Sequence, residues 1–177
     1  MKIKIKMLPA LLSALLLAMT GSFAQAQDKP SDAQIAAIVV TANNVDIEAG
    51  KLAQSKASSA KVKEFGKRMV TDHSGVNKQA TDLAKKLGVK PEESDTSRAL
   101  KKGGDENMAK LKGLQGKAFD KAYVEHEVAY HQAVLDAIDK TLLPSAQNAE
   151  LKSLIQKVRP AFVDHLEHAK HMAAELK

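Results

Sequence analysis

The sequence predicts an all-α protein, a four-helix bundle with one long crossover connection that contains a short helix, preceded by a signal peptide. Three observations carry this expectation. Four long segments repeat apolar residues at three- and four-residue steps, the spacing of one buried helix face. No segment shows the two-residue alternation of a strand. Cysteine is absent from the 177 residues, which removes disulfides, a thiol nucleophile and thiolate metal sites and leaves the fold to its apolar core.

The N-terminus reads as an export signal. Lys2, Lys4 and Lys6 form a positive region, Met7 to Met19 is an almost unbroken apolar run, and Ala24-x-Ala26 offers a cleavage site before Gln27. The run is shorter than the roughly 20 residues of a membrane-spanning helix. A cleaved signal over 1–26 and one domain over 27–177 follow, with a periplasmic or secreted product and no membrane span after cleavage. The full chain has 27 Lys+Arg against 21 Asp+Glu, a net charge of +6. Without the three signal lysines 24 face 21, a net +3. The lysines alternate with acids along helix faces, and aromatics make up 3% of the chain with no Trp. Nucleic-acid binding, which wants basic patches with stacking rings, is not expected.

The first helix opens at Ser31, with Gln34 three residues on completing a capping box. Ile35, Ile38, Ala42, Val45, Ala49 and Leu52 then alternate in bundle register. Asp46 interrupts that stripe. The short polar stretch Ser55 to Ala60 turns the chain into a second helix, about Ser59 to Leu87, which Gly88 ends. So short a link makes the two antiparallel neighbours. The second stripe runs Val62, Phe65, Met69, Val76, Leu83 and Leu87. Where it should carry another apolar residue it carries Asp72, with His73 beside it.

Val89 to Lys117 differs. Pro91, the acidic Glu92-Glu93-Ser94-Asp95 and the pair Gly103-Gly104 break the period, and Met108, Leu111 and Leu114 suggest one short helix packing as a lid. A connection this long is unusual in a compact domain, and it is what a ferritin-type bundle needs between its two hairpins. The third helix starts near Ala118-Phe119-Asp120. Glu127 and His131 lie at the centre of its stripe, four residues apart and one above the other. Leu143-Pro144-Ser145 turns the chain, with Ser145 or Asn148 as the next cap. The fourth helix carries Leu151, Leu154, Ile155, Val158, Phe162, Ala169 and Met172, with Pro160 inside it as an expected kink. His165 falls within that stripe, His168 at its edge and His171 on the solvent side.

Each helix therefore places polar residues in an apolar stripe: Asp46, then Asp72 and His73, then Glu127 and His131, then His165. Carboxylates and imidazoles converging from four helices form the ligand set of an iron, manganese or zinc site. The same residues also suit a structural network in which Asp–His and Glu–His pairs satisfy one another and fix register. No Glu-x-x-His occurs, unlike the di-iron carboxylate bundles, which points away from a two-metal oxidase. Ser74 next to His73 faces elsewhere, and no glycine-flanked serine or phosphate loop occurs, so nucleophilic catalysis has no support.

At Asp46-Ile-Glu-Ala-Gly-Lys-Leu-Ala53, at Val62 to His73 with its Met-Val-x-Asp-His, at Phe119-Asp-x-x-Tyr123 with His131, and at His165-Leu166, the chain resembles a family. It is similar to the bacterial secreted or "predicted outer membrane" proteins carrying a domain of unknown function classed as ferritin-like. The resemblance implies a ferritin-like bundle over nearly all of the mature chain and brings no activity. The family has Glu where this chain has Asp46. Three readings of function stand: an exported bundle binding metal without turnover, a non-catalytic interaction or envelope-stress protein whose core pairs are structural, and a metal-dependent redox enzyme.

Overall fold

Ser31 caps the first helix as its spacing predicts. Its Oγ accepts from the Gln34 amide at 3.2 Å, and Gln34 Oε1 accepts from the Ser31 amide at 3.1 Å, at the head of α1 (Asp32–Lys56). The computed structural model describes residues 29–176; the expected signal peptide and its cleavage site lie outside the described residues. α2 (Ala60–Leu87) follows after three residues and ends where Gly88 turns left-handed, φ +65°. Its own N-cap Ser59 contributes no side-chain bond. Asp120, from a later helix and 1% exposed, supplies one instead. Its carboxylate accepts from the amides of Ser58 and Ser59, both at 2.9 Å, and from the Ser58 hydroxyl. A carboxylate is favoured at the positive end of a helix dipole.

α1 and α2 approach unusually closely at two glycines. A Cβ on Gly50 would lie 2.7 Å from the Gly66 carbonyl oxygen, and one on Gly66 would lie 2.8 Å from both Ala53 Cβ and the Gly50 oxygen. Only glycine fits at either position.

The crossover differs from its expectation. It holds an 18-residue helix, α3 (Asp95–Lys112), capped by a Ser94–Ser97 box, and not a short one near Met108. α3 runs straight through Gly103-Gly104 because it packs along α1, and a Cβ on Gly104 would meet Val45 Cγ2 at 2.6 Å. The glycine that weakens the helix in isolation is what lets it dock. Leu111, fully buried, anchors its far end.

α4 (Gly116–Ala137) begins slightly ahead of the expected start and continues through a π-helical turn, Ile138–Leu142, into the single turn α5 (Leu143–Ser145). Asn148, the second of the two candidate caps, heads α6 (Ala149–Glu175) by accepting from Glu150 and Leu151 amides. Pro160 lies inside α6, which continues as one helix across it. Among the described residues the chain is all-helical with no strand.

α1 packs mainly on α2 and α3, α4 on α6, and α2 and α6 join the two pairs. Two apolar clusters result. One gathers Ile35, Ile38, Val76, Leu135, Ile155 and Phe162, the other Ala49, Phe65, Met69, Phe119, Tyr123 and Met172. On α1, α2 and α4, Asn43, Asp46, His73, Glu127 and His131 sit in sequence between members of the two clusters, and on α6 His165 lies one turn before Ala169, where the first cluster gives way to the second.

Candidate metal centre

Five of the six predicted residues meet in that middle layer. Asp46, His73, Glu127, His131 and His165 are each 2% exposed or less. One ligating atom from each of His73, His131 and His165 lies within 4.8 Å of the other two, and the same holds for Asp46, Glu127 and His131. The two groups share His131. The imidazole centroids form a triangle with sides of 5.2, 5.3 and 5.6 Å.

Asp72 is not among them. It lies at the edge of the stripe, about a third exposed, and it is His73 that takes the core position. Helix geometry explains the difference. Two successive residues are about 100° apart around the axis, so Asp72 and His73 cannot both face the centre. Asp72 reaches inward only to accept from His165 Nε2 at 2.8 Å, while Arg68 Nε donates to it at 3.3 Å.

Each imidazole is held from outside in the same way. His165 Nε2 donates to Asp72 Oδ2, His73 Nδ1 to Asn43 Oδ1 at 2.7 Å, and His131 Nδ1 to the Glu127 carbonyl at 3.1 Å. The acceptors fix the tautomer of the neutral ring, in which the lone pair sits on the other nitrogen. Those nitrogens, His73 Nε2, His131 Nε2 and His165 Nδ1, are buried and have no hydrogen-bond partner on the protein. Asp46 Oδ1, both carboxylate oxygens of Glu127 and the Tyr123 hydroxyl share that condition. Asp46 Oδ2 and His73 Nε2 are 3.4 Å apart, as are Glu127 Oε2 and His131 Nδ1. An unsatisfied buried polar group costs on the order of 2–7 kcal/mol. The nitrogens and carboxylate oxygens among these atoms come from the two adjoining groups that share His131, a donor set whose chemistry suits a cation.

The electrostatics agree. Burial, then the neighbouring Glu127 charge, raises the Asp46 carboxyl well above the ordinary carboxylate range. Burial pushes His131 down, but the Asp46 and Glu127 carboxylates reverse this and lift it to about 9. Burial and the other imidazoles hold His73 well below its ordinary value. Burial lowers His165 to about 4 against the opposing pull of Asp72. His131 thus holds a proton in the metal-free centre while His73 and His165 stay neutral, and a metal taken up by this set displaces protons.

Sequence reasoning missed Asn43, Tyr123 and Phe162 as parts of this centre. Asn43 is buried three residues before Asp46, and Tyr123 four residues before Glu127, so each is a same-face neighbour of a predicted ligand. Phe162 stacks on His73, centroids 5.1 Å apart and planes within 11°. His126, which the helical period points away from the stripe, is half-buried and stacks on Tyr130. His168 and His171 are exposed.

A family model described as a domain of unknown function (DUF4142) matches residues 18–172. No curated protein and no solved structure matches the chain.

Proposed function

The chain belongs to the DUF4142 family, a domain of unknown function, and we propose that it binds a metal ion at the centre of an exported, ferritin-like four-helix bundle. The observation that carries the metal is the convergence of three outward-tethered imidazoles, whose free nitrogens have no protein partner, on two unsatisfied carboxylates. A purely structural Asp–His network would pair those atoms with one another. The inner ligands are His73, His131, His165, Asp46 and Glu127, a nitrogen and oxygen set suited to iron, manganese or zinc. Asp72 and Asn43 belong to the outer shell that orients imidazoles around metals. The bundle reading rests on four long helices with a helical crossover between two hairpins. The export reading rests on the signal-like residues 1–26 ahead of a domain over 27–177.

Metal analysis of untagged protein tests this. Near-stoichiometric iron, manganese or zinc that survives dialysis and returns on reloading is the expected result. His73→Ala and His131→Ala should each lower affinity about 100-fold or more, beyond the 10–100-fold typical of an outer-shell change. Unchanged affinity in both variants would move the site elsewhere. No uptake at all would leave the polar layer structural and the interaction-protein reading ahead.

A further inference from the structure

A cleft of about 1140 Å³ leads to this centre. Its lining extends from the exposed side chains of Lys29, Glu93, Asp95, Arg98 and Lys140, a mouth of mixed charge, to the buried Asn43, Asp46, His73 and His131. Its walls are mainly aliphatic, with Ile38, Val134, Ile138, Ile155 and Val158 among them. Glu127 and His165 are not among the lining residues. A metal at the centre would therefore be backed by those two and would turn its remaining face toward the cleft, between Asp46, His73 and His131. A metal site that keeps one face open takes an outside ligand there.

The cleft specifies that ligand at both ends. Asn43 is 2% exposed; its Oδ1 is taken by His73, and its Nδ2 is buried with no partner. The same cleft lining thus carries three residues of the centre and, on the outer side of the His73 ring, one unused N–H donor. A head group with two oxygens answers both, one ligating and one accepting. The aliphatic walls then call for an apolar body, and ligand pockets of this kind combine many apolar contacts with a few fixed polar ones.

Resting on the metal reading, we propose that the cleft binds a single-chain alkyl carboxylate, with its head at the metal and Asn43 Nδ2 and its chain along the walls. Calorimetric titration of the zinc-loaded full chain with acetate, hexanoate and decanoate tests it, after the zinc titration itself. From hexanoate to decanoate, affinity should climb about fourfold per methylene, which is the ~0.8 kcal/mol of each buried CH₂. Leu154→Trp, which narrows the cleft about three helical turns from His165, should flatten that dependence while zinc affinity holds. Decanoate binding no tighter than acetate would overturn the proposal and leave the metal reading standing. So would decanoate binding equally well to metal-free protein, because the head would then not sit on the ion. Failure of zinc, and of iron(II) and manganese(II) titrated in the same way, to bind at all overturns the metal reading and this one with it.

Discussion

Asp72 touches the centre through one bond, to His165 Nε2, and that bond keeps the imidazole lone pair on the inner nitrogen. Asp72→Ala leaves the buried N–H without its acceptor. Loss of about 1–3 kcal/mol in urea unfolding is expected, the range for stranding one buried polar group. Metal affinity should fall 10–100-fold, the usual cost of removing such an outer partner. Loss of metal binding altogether would instead make Asp72 a ligand. The imidazoles also set a pH profile for metal-free protein. His131 is raised to about 9, so its stabilisation is complete below the ordinary value of about 6.5 and lost as pH rises through 9. His165, lowered to about 4, and His73, lowered too, contribute in the opposite sense, and their stabilisation is lost as pH falls below 6.5. Asp46, raised, partly offsets them there. Melting temperature without metal should therefore peak near pH 6.5 and decline on both sides. A rise continuing to pH 9 would contradict the charge assigned to His131.

At the scale of elements, two glycines of α2 separate by what a methyl group would meet. A Cβ on Gly75 would find nothing within 4 Å, so Gly75→Ala should stabilise by up to about 1 kcal/mol through helix propensity. Gly66→Ala, in the same helix, forces a methyl against backbone and should destabilise by about 1–3 kcal/mol as overpacking does. Denaturant midpoints that shift in the same direction for both would refute the close approach. The four long helices were legible because their apolar period is long and their caps, at Ser31 and Gly88, are chemical signals. α3 was only partly legible. Gly103-Gly104 looks like a break until Val45 is known to sit against Gly104, and that contact joins residues far apart in sequence. The Asp120 cap on α2 was hidden for the same reason.

For the whole molecule, the clustered core residues divide between two hairpins: Asp46 and His73 come from α1 and α2, and Glu127, His131 and His165 from α4 and α6. Sequence periodicity placed all five in the core because each interrupts an apolar stripe. It misplaced Asp72 because a stripe has a width of ~100° and its edge is not marked by composition. On the proposed metal reading, an ion held by both hairpins would tie together halves that otherwise meet through side-chain packing, so metal uptake would act on the stability of the entire domain. At a free concentration 100 times its Kd the gain is about 2.7 kcal/mol.

The Gly50–Gly66 contact carries a consequence for the order of events in time. It joins residues 16 apart in the chain across a three-residue link, so closing it requires little loop entropy compared with bringing α6 back to α2. The first hairpin is then the early-forming part of the domain, and the layer of ligands is completed late, when the second hairpin arrives. In refolding kinetics Gly66→Ala should accordingly slow folding far more than it speeds unfolding.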